Sequence, residues 1–446
     1  MSVVKQAAPR PSLSAWMICY GAPCIALLVY TVYWLIYLYA PWSSYFALLS
    51  FLGIRVGTHP FLDTEAVLAA IHCARLGVDV TLPNACMGGG LFQYSPLLLK
   101  AAALPLGVGQ RVPIGLCMDG LFLLALFALP RPRRWREFWL LLLAALSTST
   151  LFAIERANID IAMYLLVLAA VALLARGTAA RFAAYAILMG AGALKFYPAS
   201  LMILALRERP LRFLGIALVS TVGALLLYVS YASGIGQVMA RLPQGDPFID
   251  IFSASNLTLG IAMLCNNGDA NHGAGLAVCA VSVIVLVGLC AARASRLAPA
   301  MLPDFRALPP RTQILLVAGA MSIAFCFFSA KNVHYRAIFL IMTLPGLWTL
   351  QRQAAAPRLA TRYAVTAWIV AAVMWSEFVR VTTATLTNAW VGGEAALLIQ
   401  LLGWVLREMT WWWLMITLVS VVGCFVWEAP VVGIFRQRLK QGSASS

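Results

Sequence analysis

Charge is what this chain has least of. Asp, Glu, Lys and Arg make up 11% of its 446 residues and 62% are hydrophobic; a soluble domain carries about 25% charged residues. No polar segment is long enough to enclose a core of its own, which excludes a separate soluble domain. The apolar runs are continuous rather than alternating over short strands, which excludes a β-barrel. Metal-ligand spacings of Cys and His, including any CxxC pair, are also missing. What is left is an all-α polytopic membrane protein, read as a single integral membrane domain over residues 1–446.

Acidic residues are scarcer still, 16 against 32 basic, for a formal net charge of +16. The distribution of that charge argues against nucleic acid as a partner. Lys5 and Arg10; Arg131, Arg133, Arg134 and Arg136; Arg176 and Arg181; Arg207, Arg209 and Arg212; Arg293, Arg296, Arg306 and Arg311; Arg352, Arg358 and Arg362; and Arg436, Arg438 and Lys440 form seven groups holding 21 of the 32. Placing all seven on the cytoplasmic side gives one consistent topology, with membrane lipids as their partners. Cys19, Cys24, Cys117, Cys279, Cys290, Cys326 and Cys424 lie in apolar stretches, as small core residues do. Cys73 and Cys86 lie in the first outer loop. There a disulfide, given an oxidising compartment, and two free thiols are both open.

The apolar run 15–38 is too long for the core of a signal peptide and reads as the first span. The outer loop 39–110 follows and includes 97–106, apolar but too short to span, expected to lie at the interface. The segment 111–232 carries spans at 112–129, 138–153, 161–175 and 213–231. Between the last two, 182–206 has basic groups at both ends and Pro198 near its middle. Proline breaks a helix and pushes the residue before it out of the α region. Two half-helices meeting at Lys195–Pro198 are therefore expected. The segment 233–446 carries spans at 276–292, 314–329, 337–350, 363–381 and 411–427. Outer loops are expected at 232–255, 266–273, 331–336 and 382–409, with Trp390 and Trp411–Trp413 in an aromatic belt. The total is about 10–12 transmembrane helices.

The polar residues that do occur gather on the outer side or at depth near it. They are Asp63, Glu65 and His72; Glu155, Arg156, Asn158 and Asp160; Lys195 and Tyr197; and Lys331, Asn332, His334, Tyr335 and Arg336. A carboxylate and several cations on one face suit proton abstraction beside an anionic substrate. Each also has a plainer use. Asp63 would cap a helix over 64–76 ended by Gly77. Glu155 and Arg156 would pair at a helix end, and His72 and His334 would pack. Lys195 would snorkel, although it stands at the centre of a 25-residue apolar stretch. The loop 331–336 would be an outer loop that ignores the charge bias. Asp119 has no evident partner, and Asn256-Leu257-Thr258 is a common chance sequon.

Four elements in order then take on meaning: Asp63 early in the first outer loop, Tyr94-Ser95-Pro96-Leu97, Glu155-Arg156-Ala157-Asn158-Ile159-Asp160, and Lys195-Phe196-Tyr197-Pro198 after a glycine-containing helix. Over 63–212 the chain resembles the polyprenyl-phosphate-sugar-dependent glycosyltransferases of the GT-C superfamily. It is most similar to glycosyltransferase family 87, bacterial α-mannosyltransferases. Ser95 stands where that family commonly has a first Pro, and Arg156-Ala157 where it has Gly-Gln. The resemblance implies a GT-C-type bundle with juxtamembrane helices on its first periplasmic loop, in the bacterial inner membrane. It implies a metal-independent, inverting transfer of a mannose-like hexose from a polyprenyl-phosphate donor to a lipid or glycan acceptor. The donor is a substrate and no cofactor is called for. Asp63 would be the base. Lys195, Arg336, Lys331 and His334 would hold the leaving phosphate. Arg156, Asn158 and Asp160 would line the sugar or acceptor pocket, with Tyr94, Tyr197 and Tyr335 beside them. A transporter or flippase of an anionic lipid-linked glycan would use the same cations without needing Asp63 as a base, and a scaffold protein would need neither.

Overall fold

The computed structural model describes residues 12–55, 57–240, 246–265, 273–434 and 436 of the chain. Lys5, Arg10, Arg438, Lys440 and nearly all of the expected loop 266–273 lie outside them. Among the described residues, seven helices are long and apolar enough to cross a membrane, and one further pair, bent at a short break, is so only when its two helices are taken together. The protein is an all-α polytopic bundle.

Helix α1 (Leu13–Tyr39) starts where the Ser12 hydroxyl accepts from the Ala15 N–H, a side-chain N-cap. The loop after it is largely helical: α2 (Trp42–Phe51), α3 (Leu62–Arg75) and 3-10 turns at Ala85–Met87 and Pro96–Ala103. Cys73 and Cys86 form a disulfide, Cα atoms 6.0 Å apart, tying α3 to the turn at Ala85–Met87. Asp63 does not cap α3. The N-cap is Phe61, in the left-handed region at φ 66°, and Asp63 lies in the first turn, where a negative charge meets the positive end of the helix.

Helix α4 (Arg111–Ala125) lies within the span Val108–Ala128. The next span is split. α5 (Trp135–Ala145) stops at Leu146, and Ser147 caps α6 (Thr148–Arg156) through the Thr150 N–H. α7 (Ile159–Leu174) returns, and α8 (Thr178–Leu194) ends at Lys195, whose backbone is extended. A 3-10 segment, Tyr197–Arg207, runs back beside α8. This is the broken hairpin expected from Pro198. Gly192 makes it tight: a Cβ there would stand 2.9 Å from the Cα of Ala199.

Helix α9 (Pro210–Ala240) is followed by β1 (Ile251–Phe252), α10 (Asn256–Cys265), α11 (Gly273–Arg306) and α12 (Pro310–Ser329). The two-residue strand β2 (Asn332–Val333) pairs antiparallel with β1, Ile251 opposite Val333. A buried 3-10 segment, His334–Thr343, leads into α13 (Leu344–Gln353). Gly319 of α12 lets that segment approach, since a Cβ there would meet the Phe339 carbonyl oxygen at 2.8 Å. Lipid is as apolar as the side chains it would replace, so close packing through small residues supplies the cohesion between such helices. α14 (Pro357–Met374) and α15 (Ser376–Trp390) are bent by 61° at Trp375, and α16 (Gly393–Glu428) closes the bundle. α9 and α11 are barely covered by protein.

Several expectations change here. The expected loop 382–409 is helix, the end of α15 and the start of α16. Arg293 and Arg296 lie inside α11 rather than in a loop. Trp411 is no belt residue; it is fully buried with its ring stacked on Phe252 at 4.5 Å, while Trp390 is exposed. Asn256 is buried and donates to Glu408 at 2.9 Å, so its sequon is inaccessible.

The helices share two ends. Chain direction carries α5–α6, α8 and α12 away from the basic groups at 131–136, 176–181 and 306–311. At that basic end Arg352 pairs with Glu137, Arg311 donates to the Ala128 carbonyl at 2.6 Å, and Arg306 meets Glu428 at 2.6 Å. The other end holds Asp63, Asn158, Lys195 and Arg336.

Candidate active site

Three chain breaks build the site. The first is the junction of α6 and α7. Ala157 takes a left-handed conformation at φ 40°, turning the chain so that Asn158 caps α7 by accepting from the Asp160 N–H at 2.9 Å. The second is the break at Lys195, which ends α8 at depth. The third is the β1–β2 pairing that delivers Arg336.

Asp160 is their meeting point. It is fully buried. The Lys195 ammonium lies 2.7 Å from its Oδ1, the Tyr197 hydroxyl donates to the same oxygen at 2.7 Å, and Arg336 Nε lies 3.2 Å from Oδ2. Arg336 donates in turn to the Asn332 side-chain Oδ1 and stands over the Tyr197 ring at 5.6 Å. Two cations on one carboxylate leave a net positive charge in surroundings of low dielectric.

Asn158 links this cluster to Asp63. Its amide donates to Asp63 Oδ2 at 2.5 Å, and its carbonyl oxygen accepts from Lys195 at 3.2 Å. Asp63 is half-buried. Arg156 Nη1 lies 3.9 Å from its Oδ1, and Arg156 Nε is 3.2 Å from the buried Glu155. α3 is fixed against this junction by the Thr64 hydroxyl on the Ala157 carbonyl at 2.6 Å and by the Phe61 N–H on the Glu155 carbonyl at 2.7 Å. A cavity of about 200 Å³ opens beside Asp63, lined by Met87, Phe92, Gln93 and Tyr94 among others. Lys195 stands over the Tyr94 ring at 5.4 Å.

Burial raises the pKa of Asp63 above the ordinary carboxylate value; Arg156, the Asn158 hydrogen bond and Lys195 pull the other way. The Tyr94 hydroxyl is raised as well, first by burial and then by Asp63, so it stays protonated as a donor. A carboxyl with raised basicity, beside a cavity and next to a cationic cluster, can take a proton from a hydroxyl while an anion is held close by.

No family model matches the chain, and no curated relative does. Among solved structures, the crystal structure of ArnT from Cupriavidus metallidurans in the apo state is similar at 16% identity, with a TM-score of 0.33, over 91% of this chain and 77% of that one. At that TM-score the likeness carries no argument, and the function is read from the side chains.

Most of the expected site residues converge. Asp63, Tyr94, Arg156, Asn158, Asp160, Lys195, Tyr197 and Arg336 lie in one linked cluster, and Tyr335 packs edge-on against Phe152 beside Arg156. His334 does not join it. Its ring is buried among Phe252 and Trp411, with Nε2 at 2.6 Å from the Val373 carbonyl, so it has no face for a phosphate. Lys331 is half-buried immediately before β2. Lys195 does not snorkel; it is paired with Asp160 where it stands. Glu155–Arg156 is a local ion pair and also reaches Asp63.

A second polar cluster escaped the sequence reading. Arg407 reaches Glu377 at 3.2 Å, Glu408 at 2.9 Å and the carbonyls of Pro247 and Ile249 at 2.9 and 2.7 Å. It pins the stretch leading into β1 and so the strand that positions Arg336. The adjacent Arg407-Glu408 pair inside an apolar run was the signal, since intramembrane charges nearly always pair.

Proposed function

We propose that this protein is a membrane glycosyltransferase of the GT-C type. It moves a sugar from a polyprenyl-phosphate donor to a hydroxyl of a lipid or glycan acceptor, at the periplasmic face of a bacterial inner membrane. One observation carries the reading. A half-buried carboxyl, Asp63, borders a cavity and is joined through Asn158 to the buried Lys195–Asp160 pair and to Arg336 beside it.

Asp63 takes the proton of the acceptor hydroxyl. The freed oxygen forms a bond to the anomeric carbon from the side opposite the phosphate, and the carbon–oxygen bond to phosphate breaks. Its electron pair leaves with the polyprenyl phosphate, and configuration inverts. The donor is a phosphodiester with one negative charge, and the leaving monoester carries about −1.5 to −2. Negative charge therefore grows toward Lys195 and Arg336, whose net charge with Asp160 is positive. Groups fixed before the reaction stabilise such growing charge best. Tyr94, which lines the cavity, offers its ring and hydroxyl to the sugar; Tyr197 serves by holding Asp160, and Arg156 steadies Asp63. In this reading Lys331, just before β2, is assigned to the same leaving phosphate. The resemblance favours a mannose-like hexose as the group transferred, and the scheme needs no cofactor.

The test is transfer by purified protein from a panel of labelled polyprenyl-phosphate sugars to membrane lipid acceptors. A positioned base contributes about 100- to 10,000-fold, so Asp63→Asn should lose that much rate while inserting and expressing normally. Full activity in Asp63→Asn would remove the base assignment. Translocation of a lipid-linked glycan without any transfer would favour the transporter reading.

A further inference from the structure

At the basic end, away from Asp63, α11, α14 and α16 border an open groove of about 400 Å³. Its walls are apolar: Leu297 of α11, Leu359 and Val365 of α14, and Trp413 of α16. Two charges enter it, Arg358 and Arg362, four residues apart on α14 and therefore on one face of the helix.

These arginines are not used as their neighbours are. Every nearby acid is taken: Asp304 accepts from the Tyr363 hydroxyl at 3.1 Å and the Ala355 N–H at 3.2 Å, and Glu428 pairs with Arg306. Among the described residues no carboxylate pairs with Arg358 or Arg362. Arg362 instead lies over the Trp413 ring at 4.6 Å and donates from Nη2 to the Thr417 hydroxyl at 3.3 Å. Its Nε is buried with no hydrogen-bond partner. That nitrogen has no accessible surface, so an acceptor from outside the chain would meet Arg362 at the open, Nη side of its guanidinium fork.

We propose that this groove binds an anionic phospholipid of the adjoining leaflet. Its phosphate sits between Arg358 and Arg362, and an acyl chain follows Leu297, Leu359, Val365 and Trp413. The chemistry selects the ligand. Guanidinium forks match phosphate oxygens, the apolar walls match a hydrocarbon chain better than any free anion, and a basic pocket between spans is where anionic headgroups collect. The positive-inside bias makes this the cytoplasmic leaflet, whose anionic lipids supply the ligand. The site is separate from the Asp63 cluster, so its occupancy does not depend on the reaction proposed there.

The experiment uses the full chain, purified and delipidated in a neutral detergent. Unfolding temperature is followed against dioleoyl phosphatidylglycerol, dioleoyl phosphatidylcholine and inorganic phosphate, and native mass spectrometry counts retained lipids. Phosphatidylglycerol should raise the unfolding temperature and remain bound at one site, while the other two should do neither. Arg358→Gln, an exposed change, should weaken phosphatidylglycerol about tenfold, the effect of losing one charge-assisted contact of about 1.4 kcal/mol. Arg362→Gln should weaken it further, and Arg209→Gln, at the same end but outside the groove, should not change it. Equal stabilisation by phosphatidylcholine, saturation by inorganic phosphate alone, or equal losses from Arg209→Gln would each overturn the proposal. Because Arg358→Gln leaves the contacts of Arg362 intact, an unfolded Arg362→Gln would not prevent the decision.

Discussion

Neutralising Asp160 would leave Lys195 and Arg336 facing one another in the bundle without their shared carboxylate. Breaking a buried pair by removing one partner typically costs about 3–5 kcal/mol, because a buried charge is left uncompensated. Asp160→Asn should therefore lower the thermal unfolding midpoint in detergent clearly, while Asp63→Asn, at a half-buried position, should lower it little. If both fell equally, Asp160 would not be the hub of the cluster. Asp63 makes its own prediction through pH. Its pKa is raised by burial, and a protonated carboxyl cannot accept the acceptor's proton. Transfer should then fall as pH drops through that raised value, so the acid limb of the rate profile should lie above the ordinary aspartate value of about 3.9. Arg156 pulls the other way, so Arg156→Gln should move the limb to higher pH; no movement would show that Arg156 does not act on Asp63. These residues were legible as types: carboxylates and cations are conspicuous where charge is scarce. Their pairing was not. Nothing in one dimension says that Lys195 and Arg336 share Asp160, or that His334 turns to a backbone carbonyl.

The Cys73–Cys86 disulfide spans 13 positions and fastens α3 to the turn whose neighbours Met87–Tyr94 wall the cavity beside Asp63. Closing a loop of that length contributes about 3 kcal/mol in the chain-entropy picture. Reduction, or Cys86→Ser, frees that wall while leaving Asp160, Lys195 and Arg336 in place. The expected result is a raised KM for the acceptor and, through Tyr94, for the sugar donor as well; a lowered unfolding midpoint with neither KM moved would mean that the turn serves only the fold. Packing between elements gives a different test. Gly319→Ala places a Cβ 2.8 Å from the Phe339 carbonyl oxygen and from a Thr343 methyl, and overpacking of this kind costs about 1–3 kcal/mol. Gly215→Ala, inside α9 where nothing lies within 4 Å, is the matched control in unfolding measurements. Element positions were readable from apolar runs and from Pro198. Element ends were less so. Hydropathy marks where a chain meets lipid, and α15, the first turns of α16 and the end of α11 are helical outside those runs, for reasons of capping and packing.

At the scale of the molecule, the two ends of the bundle differ in charge, and that difference makes orientation testable. Basic groups from distant parts of the chain meet at one end through Arg352–Glu137, Arg306–Glu428 and Arg181–Glu208. The Asp63 cluster, the disulfide and the β1–β2 pair occupy the other. Lys and Arg near the ends of spans are retained on the cytoplasmic side, so the disulfide should face the opposite compartment. Cys86 is exposed and Cys73 is buried. An impermeant maleimide added to intact cells should leave the pair unlabelled, because a disulfide has no thiolate to react. After an impermeant reductant, Cys86 should label first and Cys73 slowly. A cysteine introduced at Arg209, exposed at the basic end, should label only once the membrane is opened. The reverse pattern would invert the molecule and place Asp63 in the cytoplasm. The proposed phospholipid groove would then face the outer leaflet, and the same labelling would decide both.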